Sequence, residues 1–294
     1  MKKRTSWVLF LCLIYAFPLM SQEKPAYRIF DQKGKEINYG KMLRKLSDAD
    51  VICFGESHNN PIAHWLEFEL TRDLHKNPEG KNLVVGMEMF ERNQQARLEQ
   101  YLRGDLTDKQ FQDSVDLWNN YETDYRPVVD YCKENNIAVI GTNIPRRYAR
   151  IVYSQGLSYL DTLPQHERVF IAPIPITIDY NLPSYQAMKS LMGGHQMDEE
   201  KLKSFISAQA VKDATMAHSI LENMPENTLF FHMNGSYHSD SKEGIIWYLN
   251  HYRPGLNIMN ITLTEQASTT EVAEENKGKA DFYIVVPEDM TKTY

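Results

Sequence analysis

The sequence has no surplus of positive charge, no apolar run long enough to span a bilayer, no internal repeat and only three cysteines. Its 32 basic residues stand against 39 acidic ones, so nucleic acid, whose binding rests on a basic surface, is not an expected partner. The one sustained apolar stretch near the N-terminus, Trp7 to Phe17, is too short for a transmembrane helix. It follows the basic Met1-Lys2-Lys3-Arg4 and precedes Pro18 to Gln22, which is the pattern of a secretory signal peptide over residues 1–21, cleaved near Ser21. Cys12 lies inside the run without the small residue before it that a lipid-attachment site wants, so lipidation is not expected. Without Lys2, Lys3 and Arg4 the balance is 29 basic against 39 acidic residues, a formal charge of −10. The mature chain is expected to be exported and soluble, periplasmic or associated with an outer membrane. Cys53 falls in a strand-like run and Cys132 in a helix-like one. An oxidising compartment permits a disulfide between them, but their apolar surroundings read as those of two buried thiols.

Along residues 22–294 short β-rich runs alternate with longer amphipathic stretches, the pattern of a largely parallel sheet flanked by helices. Strands are expected at Asp50 to Phe54, Leu83 to Met87, Ile137 to Ile140, Thr228 to His232, Leu256 to Leu263 and Asp281 to Val286. Helices are expected at Pro61 to Lys76, Glu91 to Leu102, Arg126 to Asn135, Pro145 to Gln155 and Lys242 to His251. A Pro-rich stretch, Pro173 to Pro183, interrupts the alternation. The segment around it, about 160–224, reads as a smaller helical insertion or cap carrying Met188, Met192, Met197 and Met216 with Tyr180, Tyr185 and His195. Methionines at helical spacing pack irregular cores; they also make a deformable wall for a large flat ligand.

The strongest local pattern is Val51 to His64, where an apolar strand runs through Gly55-Glu56-Ser57-His58 into a helix that begins near Pro61. In an open α/β sheet the carboxyl ends of the strands form the ligand crevice. Glu56 and His58, two residues apart, face one side if the chain stays extended. His64 falls in the first helical turn, where the helix dipole opposes an imidazolium. Polar residues at such turns also serve as caps. The other expected strands end on polar groups as well: Glu88, Asn143 with Arg146, and His232. His238 follows across a turn at Gly235. Convergence of Glu56, His58, Glu88, Asn143, Arg146, His232 and His238 on one crevice is therefore expected.

These motifs resemble a known family, the haem-binding uptake proteins of the ChaN type within the Tiki, TraB and erythromycin-esterase-like superfamily. The resemblance runs from about Asp50 to Leu263. It rests on Gly55-Glu56-Ser57-His58, Glu88-Met-Phe-Glu91, Tyr125-Arg-Pro127, Gly141-Thr-Asn143-Ile-Pro145-Arg146, Ala208 to Ala217 with Asp213 and Met216, and His232 to His238. It implies a parallel α/β domain with a small helical domain, haem as ligand held between two copies, and partnership with outer-membrane iron uptake. It also implies ligation of the iron by a tyrosine. A phenolate is an established axial ligand; it needs a nearby cation or a proton acceptor to ionise near neutral pH. Tyr185, in the methionine-bearing segment, is the favoured candidate, with Tyr148 beside Arg146 and Arg147, and His195, as the others. The superfamily resemblance leaves a second function open: a hydrolase in which Glu56 or Glu88 acts as general base while His58, His232 or His238 holds a divalent metal.

Overall fold

The computed structural model describes residues 24–77, 80–191 and 198–294; the expected signal peptide, His195, Met192 and Met197 lie outside them. Eight strands make one sheet: β1 (Arg28–Asp31), β2 (Glu36–Ile37), β3 (Val51–Glu56), β4 (Asn82–Glu91), β5 (Ala138–Asn143), β6 (Thr228–Gly235), β7 (Ile258–Gln266) and β8 (Phe282–Pro287). Their order is β2-β1-β8-β7-β3-β6-β4-β5. Strands β3 to β8 pair in parallel, while β1 runs antiparallel to β8 and to β2. The sequence pattern missed β1 and β2, since four- and two-residue pieces are too short to show a period.

The helices are α1 (Tyr39–Leu46), α2 (Pro61–His75), α3 (Gln95–Leu102), α4 (Asp108–Gln112), α5 (Arg126–Glu134), α6 (Arg146–Gln155), α7 (Gln165–Arg168), α8 (Pro183–Leu191), α9 (Glu199–Glu222) and α10 (Ile245–Tyr252). Every residue of β3 and β6 is buried, as parallel strands covered on both faces must be. Alternation along the strands builds two cores. Ile52, Phe54, Val85, Met87, Phe231 and Met233 pack against α1, α2, α3 and α5, whereas Val51, Cys53, Val84, Ile140 and Phe230 pack against α6, α8, α9 and α10. Within 160–224, α7, α8 and α9 are helical while residues 169–182 are irregular, and Ala210, Val211, Ala214 and Ala217 of α9 join the core that lies on the sheet. Cys53 and Cys132 are buried free thiols on opposite faces of the sheet.

Two expected helices begin later than the pattern suggests. Strand β4 continues to Glu91, so that Glu88 is a strand residue, and a short 3₁₀ turn at Arg92–Gln94 leads into α3. At α10 the turns of residues 236–242 precede the helix, which starts after Gly244 at a φ of 53°. Helix α2 starts where the sequence places it: Asn60 caps it, accepting from the Ile62 and Ala63 amides at 3.0 and 3.3 Å, with Pro61 at its first position.

Candidate functional site

Because β3, β4, β5 and β6 run parallel, their carboxyl ends meet at one edge of the sheet, where a cleft of about 1320 Å³ opens. The local sequence lets two loops interleave there. A Cβ on Gly55 would come within 2.9 Å of the Ser236 Cα, and one on Gly235 within 2.8 Å of the His58 Nε2. Small residues at both strand ends thus bring the loop after β3 against the turn after β6.

Two hydrogen-bonded groups form the floor of the cleft. In the first, Glu56 Oε1 lies 2.6 Å from His58 Nδ1 and accepts from the Tyr125 hydroxyl at 2.7 Å. Below it His64 Nδ1 is 3.1 Å from both Glu56 Oε2 and Glu67 Oε2, and its Nε2 faces the His58 carbonyl at 3.2 Å and Asp124 Oδ2 at 3.4 Å. Asp124 and Tyr125 come from a single π-helical turn, Tyr121–Tyr125, and Asn120 ahead of it donates to the His58 carbonyl at 3.0 Å. In the second group Glu88 Oε2 accepts from the Gly235 amide at 2.8 Å and its Oε1 lies 3.2 Å from His238 Nε2. The other ring nitrogen of His238 is hydrogen-bonded to Asp213 of α9, and Asp213 accepts from the Tyr185 hydroxyl at 2.7 Å.

Burial alone would discharge these groups, but their partners outweigh it for most of them. Hydrogen bonds from His58 and His64 hold Glu56 down to about 2 against its burial. Burial lowers His238, yet Glu88 and Asp213 raise it to about 10. Glu88 falls well below the usual carboxylate range, with His238, His58 and the Gly235 amide overcoming its desolvation. His58 is raised by Glu56 and Glu88. Glu67 and Asp213 are exceptions: burial raises both, and the charge of Glu56 pushes Glu67 up further. His64 corrects the helix-dipole expectation. Burial and dipole both oppose its charge, but Glu56 and Glu67 raise it to about 11; a dipole effect of about 0.3–1 kcal/mol cannot compete with charges at contact distance, each worth ~4 kcal/mol.

His58, Glu88, Asn143, Arg146 and His238 line the cleft together. Glu56 lies one layer beneath, behind His58. His232 does not reach the cleft: it is enclosed in β6 between Thr142 (2.8 Å) and Asn234 (3.0 Å), and burial pushes it down to about 4. Among the described residues the group whose ligand atoms lie close enough to gather around a metal ion is Glu56, His64 and Glu67; the hydrolase alternative named His58, His232 or His238 instead. Sequence reasoning overlooked Glu67, Asp124 and Trp118, whose ring meets His58 edge-on at 4.8 Å between centroids. The spacing of His64 and Glu67, three apart in a helix, was the available signal that they share a face.

A family model described as haem-binding uptake, Tiki superfamily, ChaN matches residues 42–249. The chain belongs to this family. Its fold is that of a ChaN from Campylobacter jejuni, a structure described as cofacial haem binding, with a TM-score of 0.69 at 19% identity over 90% of this chain and 98% of that one. In sequence it is similar to Protein RETICULATA-RELATED 5, chloroplastic, of Arabidopsis thaliana, 25% identical over 216 residues, or 68% of this chain and 29% of that relative's length.

Within this ChaN-family frame the two tyrosines chosen from sequence occupy poor positions for meeting a ligand. Tyr185 and Tyr148 are both 1% exposed. Burial first, and then the carboxylates that accept their hydroxyls, Asp213 and Glu167, raise both phenols above their ordinary value, opposite to what a phenolate ligand needs. The tyrosines that line the cleft are Tyr153, Tyr237 and Tyr294.

Proposed function

We propose that this protein binds haem in the strand-end cleft and serves haem or iron acquisition outside the cytoplasm, with Tyr237 as the iron ligand and two copies facing one another across the bound haem. The observation that carries the reading is the chemistry of the cleft wall. Haem is a broad apolar ring with two carboxylates at one edge, and the wall pairs Met89, Trp118, Met188 and Phe205 with Arg146, Arg147, Arg150 and Lys212. Arginines at such a rim suit bidentate pairing with propionates, while methionine and aromatic side chains adapt to a flat ligand. These residues fit the group that the family binds. Tyr237 follows β6 on the turn Ser236–His238, lines the cleft and is 60% exposed, so its hydroxyl is accessible to an iron approaching from the mouth. When bound, haem supplies the metal centre that tyrosinate ligates; the chain's own part is to hold the ring, pair the propionates and present the oxygen. The signal-like residues 1–21 support export, and a periplasmic or outer-membrane setting belongs to the same proposal.

The test is a haemin titration followed by absorption spectroscopy on the wild type, Tyr237→Phe and Tyr185→Phe. Saturable binding with a charge-transfer band that Tyr237→Phe abolishes and Tyr185→Phe retains is expected. Loss of the band in Tyr185→Phe alone would move the ligand to the buried tyrosine, and absence of saturation would end the haem reading.

One observation favours a second reading, a hydrolase. His58 is oriented by Glu56 through Nδ1 while its side chain remains 35% exposed at the cleft, the arrangement of a general base held by a carboxylate. Glu56 and Glu88 both raise His58, so such an enzyme would gain rate on the alkaline side as the ring loses its proton.

A further inference from the structure

The first group of the cleft floor contains a cluster that haem binding does not use. Glu56 of β3 and His64 and Glu67 of α2 are 1%, 4% and 0% exposed, and each offers a ligand atom within 4.8 Å of the others. Glu67 Oε1 is buried without any hydrogen-bond partner, and Glu56 Oε2 meets His64 Nδ1 at 3.1 Å, whose single proton it shares with Glu67 Oε2. An unpartnered buried carboxylate oxygen is costly, and one beside a second buried glutamate calls for a cation. The remaining atoms are already engaged in the way a metal site requires. His64 points Nδ1 at both glutamates and turns Nε2 toward the His58 carbonyl at 3.2 Å and Asp124 at 3.4 Å, as a ligating imidazole directs its second nitrogen to a carbonyl or carboxylate. Glu56 uses Oε1 to accept from the Tyr125 hydroxyl at 2.7 Å and to meet His58 at 2.6 Å, which leaves Oε2 for the interior of the cluster.

We propose that Glu56, His64 and Glu67 form a structural divalent transition-metal site, for Zn²⁺ or Mn²⁺, that locks α2 to the end of β3 behind the cleft. The separation of 3.1 Å between His64 Nδ1 and each glutamate oxygen is close to the ~3.3 Å edge of a tetrahedron with metal–ligand bonds of about 2.0–2.2 Å. Charge agrees. Two carboxylates and a neutral imidazole balance a dication, and binding releases the Nδ1 proton. The alternative occupant is that proton alone, an imidazolium between the two glutamates, which leaves Glu67 Oε1 without a partner. The site is separate from the expected histidine set, since His238 and His232 take no part in it.

The experiment is elemental analysis of the purified full chain after dialysis, with melting curves before and after chelation, on the wild type, Glu67→Gln, His64→Ala and His238→Ala. About one equivalent of zinc or manganese per chain is expected in the wild type and in His238→Ala. Retention should fall at least tenfold in Glu67→Gln and His64→Ala, and chelation should lower the wild-type Tm. Should His64→Ala not fold, Glu67→Gln, which keeps the side chain's size, carries the test, supported by the visible d–d bands of wild type reconstituted with Co²⁺. Wild-type metal content in Glu67→Gln, or loss of metal in His238→Ala alone, would overturn the assignment. So would a chain that retains no metal and whose Tm does not rise on adding Zn²⁺ or Mn²⁺; the cluster would then hold a proton. Haemin titration of the same samples reports separately on the cleft.

Discussion

Asp213→Asn isolates the electrostatic part of the cleft floor. The substitution keeps the shape of the side chain and an oxygen to accept the Tyr185 hydroxyl, bonded at 2.7 Å in the native chain, but removes one of the two charges that flank His238. Burial lowers the His238 pKa, yet Glu88 and Asp213 together bring it to about 10 against an ordinary 6.5. Holding that proton in the folded state therefore contributes roughly 5 kcal/mol below the unfolded value, and loss of one of two carboxylates removes ~2–3 kcal/mol, near the lower bound for breaking a buried pair. For a domain of this size that is a fall in Tm of ~5–10 °C. The sign with pH follows from the direction of the shift. A group whose pKa is raised on folding stabilises fully below about 6.5 and loses that stabilisation as pH climbs toward about 10. The gap between wild type and Asp213→Asn should thus be widest near pH 6 and close by pH 10.5, read from thermal melts by circular dichroism across that range. A gap that is absent at pH 6, or that widens with pH, would mean that His238 is neutral in the native chain and that the reasoning is wrong.

Gly235→Ala should press a methyl group to 2.8 Å from His58 Nε2; we expect a destabilisation of ~1–3 kcal/mol and, as the ring tilts away from Glu56, an NMR titration of His58 shifted down toward its ordinary value, whereas an unchanged titration would contradict the interleaved loops. Cys53 and Cys132, both pushed up to about 12 by burial, should resist an aqueous thiol reagent in the native state and react together on unfolding; a mass two hydrogens short under oxidising purification would instead reveal a bond between them.

What could be read from the sequence was local, and what could not depends on partners far along the chain. Strands β3 to β8 announce themselves by apolar runs, and once they are parallel the placement of His58, Glu88, Asn143, Arg146 and His238 at one edge follows. His232 misled because β6 continues past it to Gly235, which puts it inside the sheet rather than beyond its end. Tyr185 misled for a different reason. Its neighbours in sequence suggested a ligand wall, but the decisive neighbour is Asp213, 28 residues away in sequence, which takes its hydroxyl and excludes it from the cleft. Glu67 and Asp124 carried no motif; only the packing of α2 and the π-helical turn against the end of β3 turns ordinary helix acids into floor residues.

Among the described residues every buried Asp, Glu or His belongs to this floor or touches its edge: Glu56, His64, Glu67 and Asp124 in one group, Glu88, Asp213 and His238 in the other, and His232 beside them in β6. Elsewhere the two cores are built from apolar side chains without such groups. A fold selected for stability alone would not gather its buried charges in this way, because apolar replacements of similar volume are commonly neutral or stabilising by ~1–4 kcal/mol. The concentration of charge at the edge where parallel strands open a cleft supports the proposal that this edge is the functional site. Depth then separates the roles. In the proposed haem reading the wall offers cations, sulfur and aromatic rings to a flat anionic ligand, while the largely buried floor fixes the loops that carry His58 and Tyr237. Removing a charge from the floor should therefore be felt at the mouth through the position of the turn 236–238, and removing one from the wall should weaken the ligand without loosening the fold.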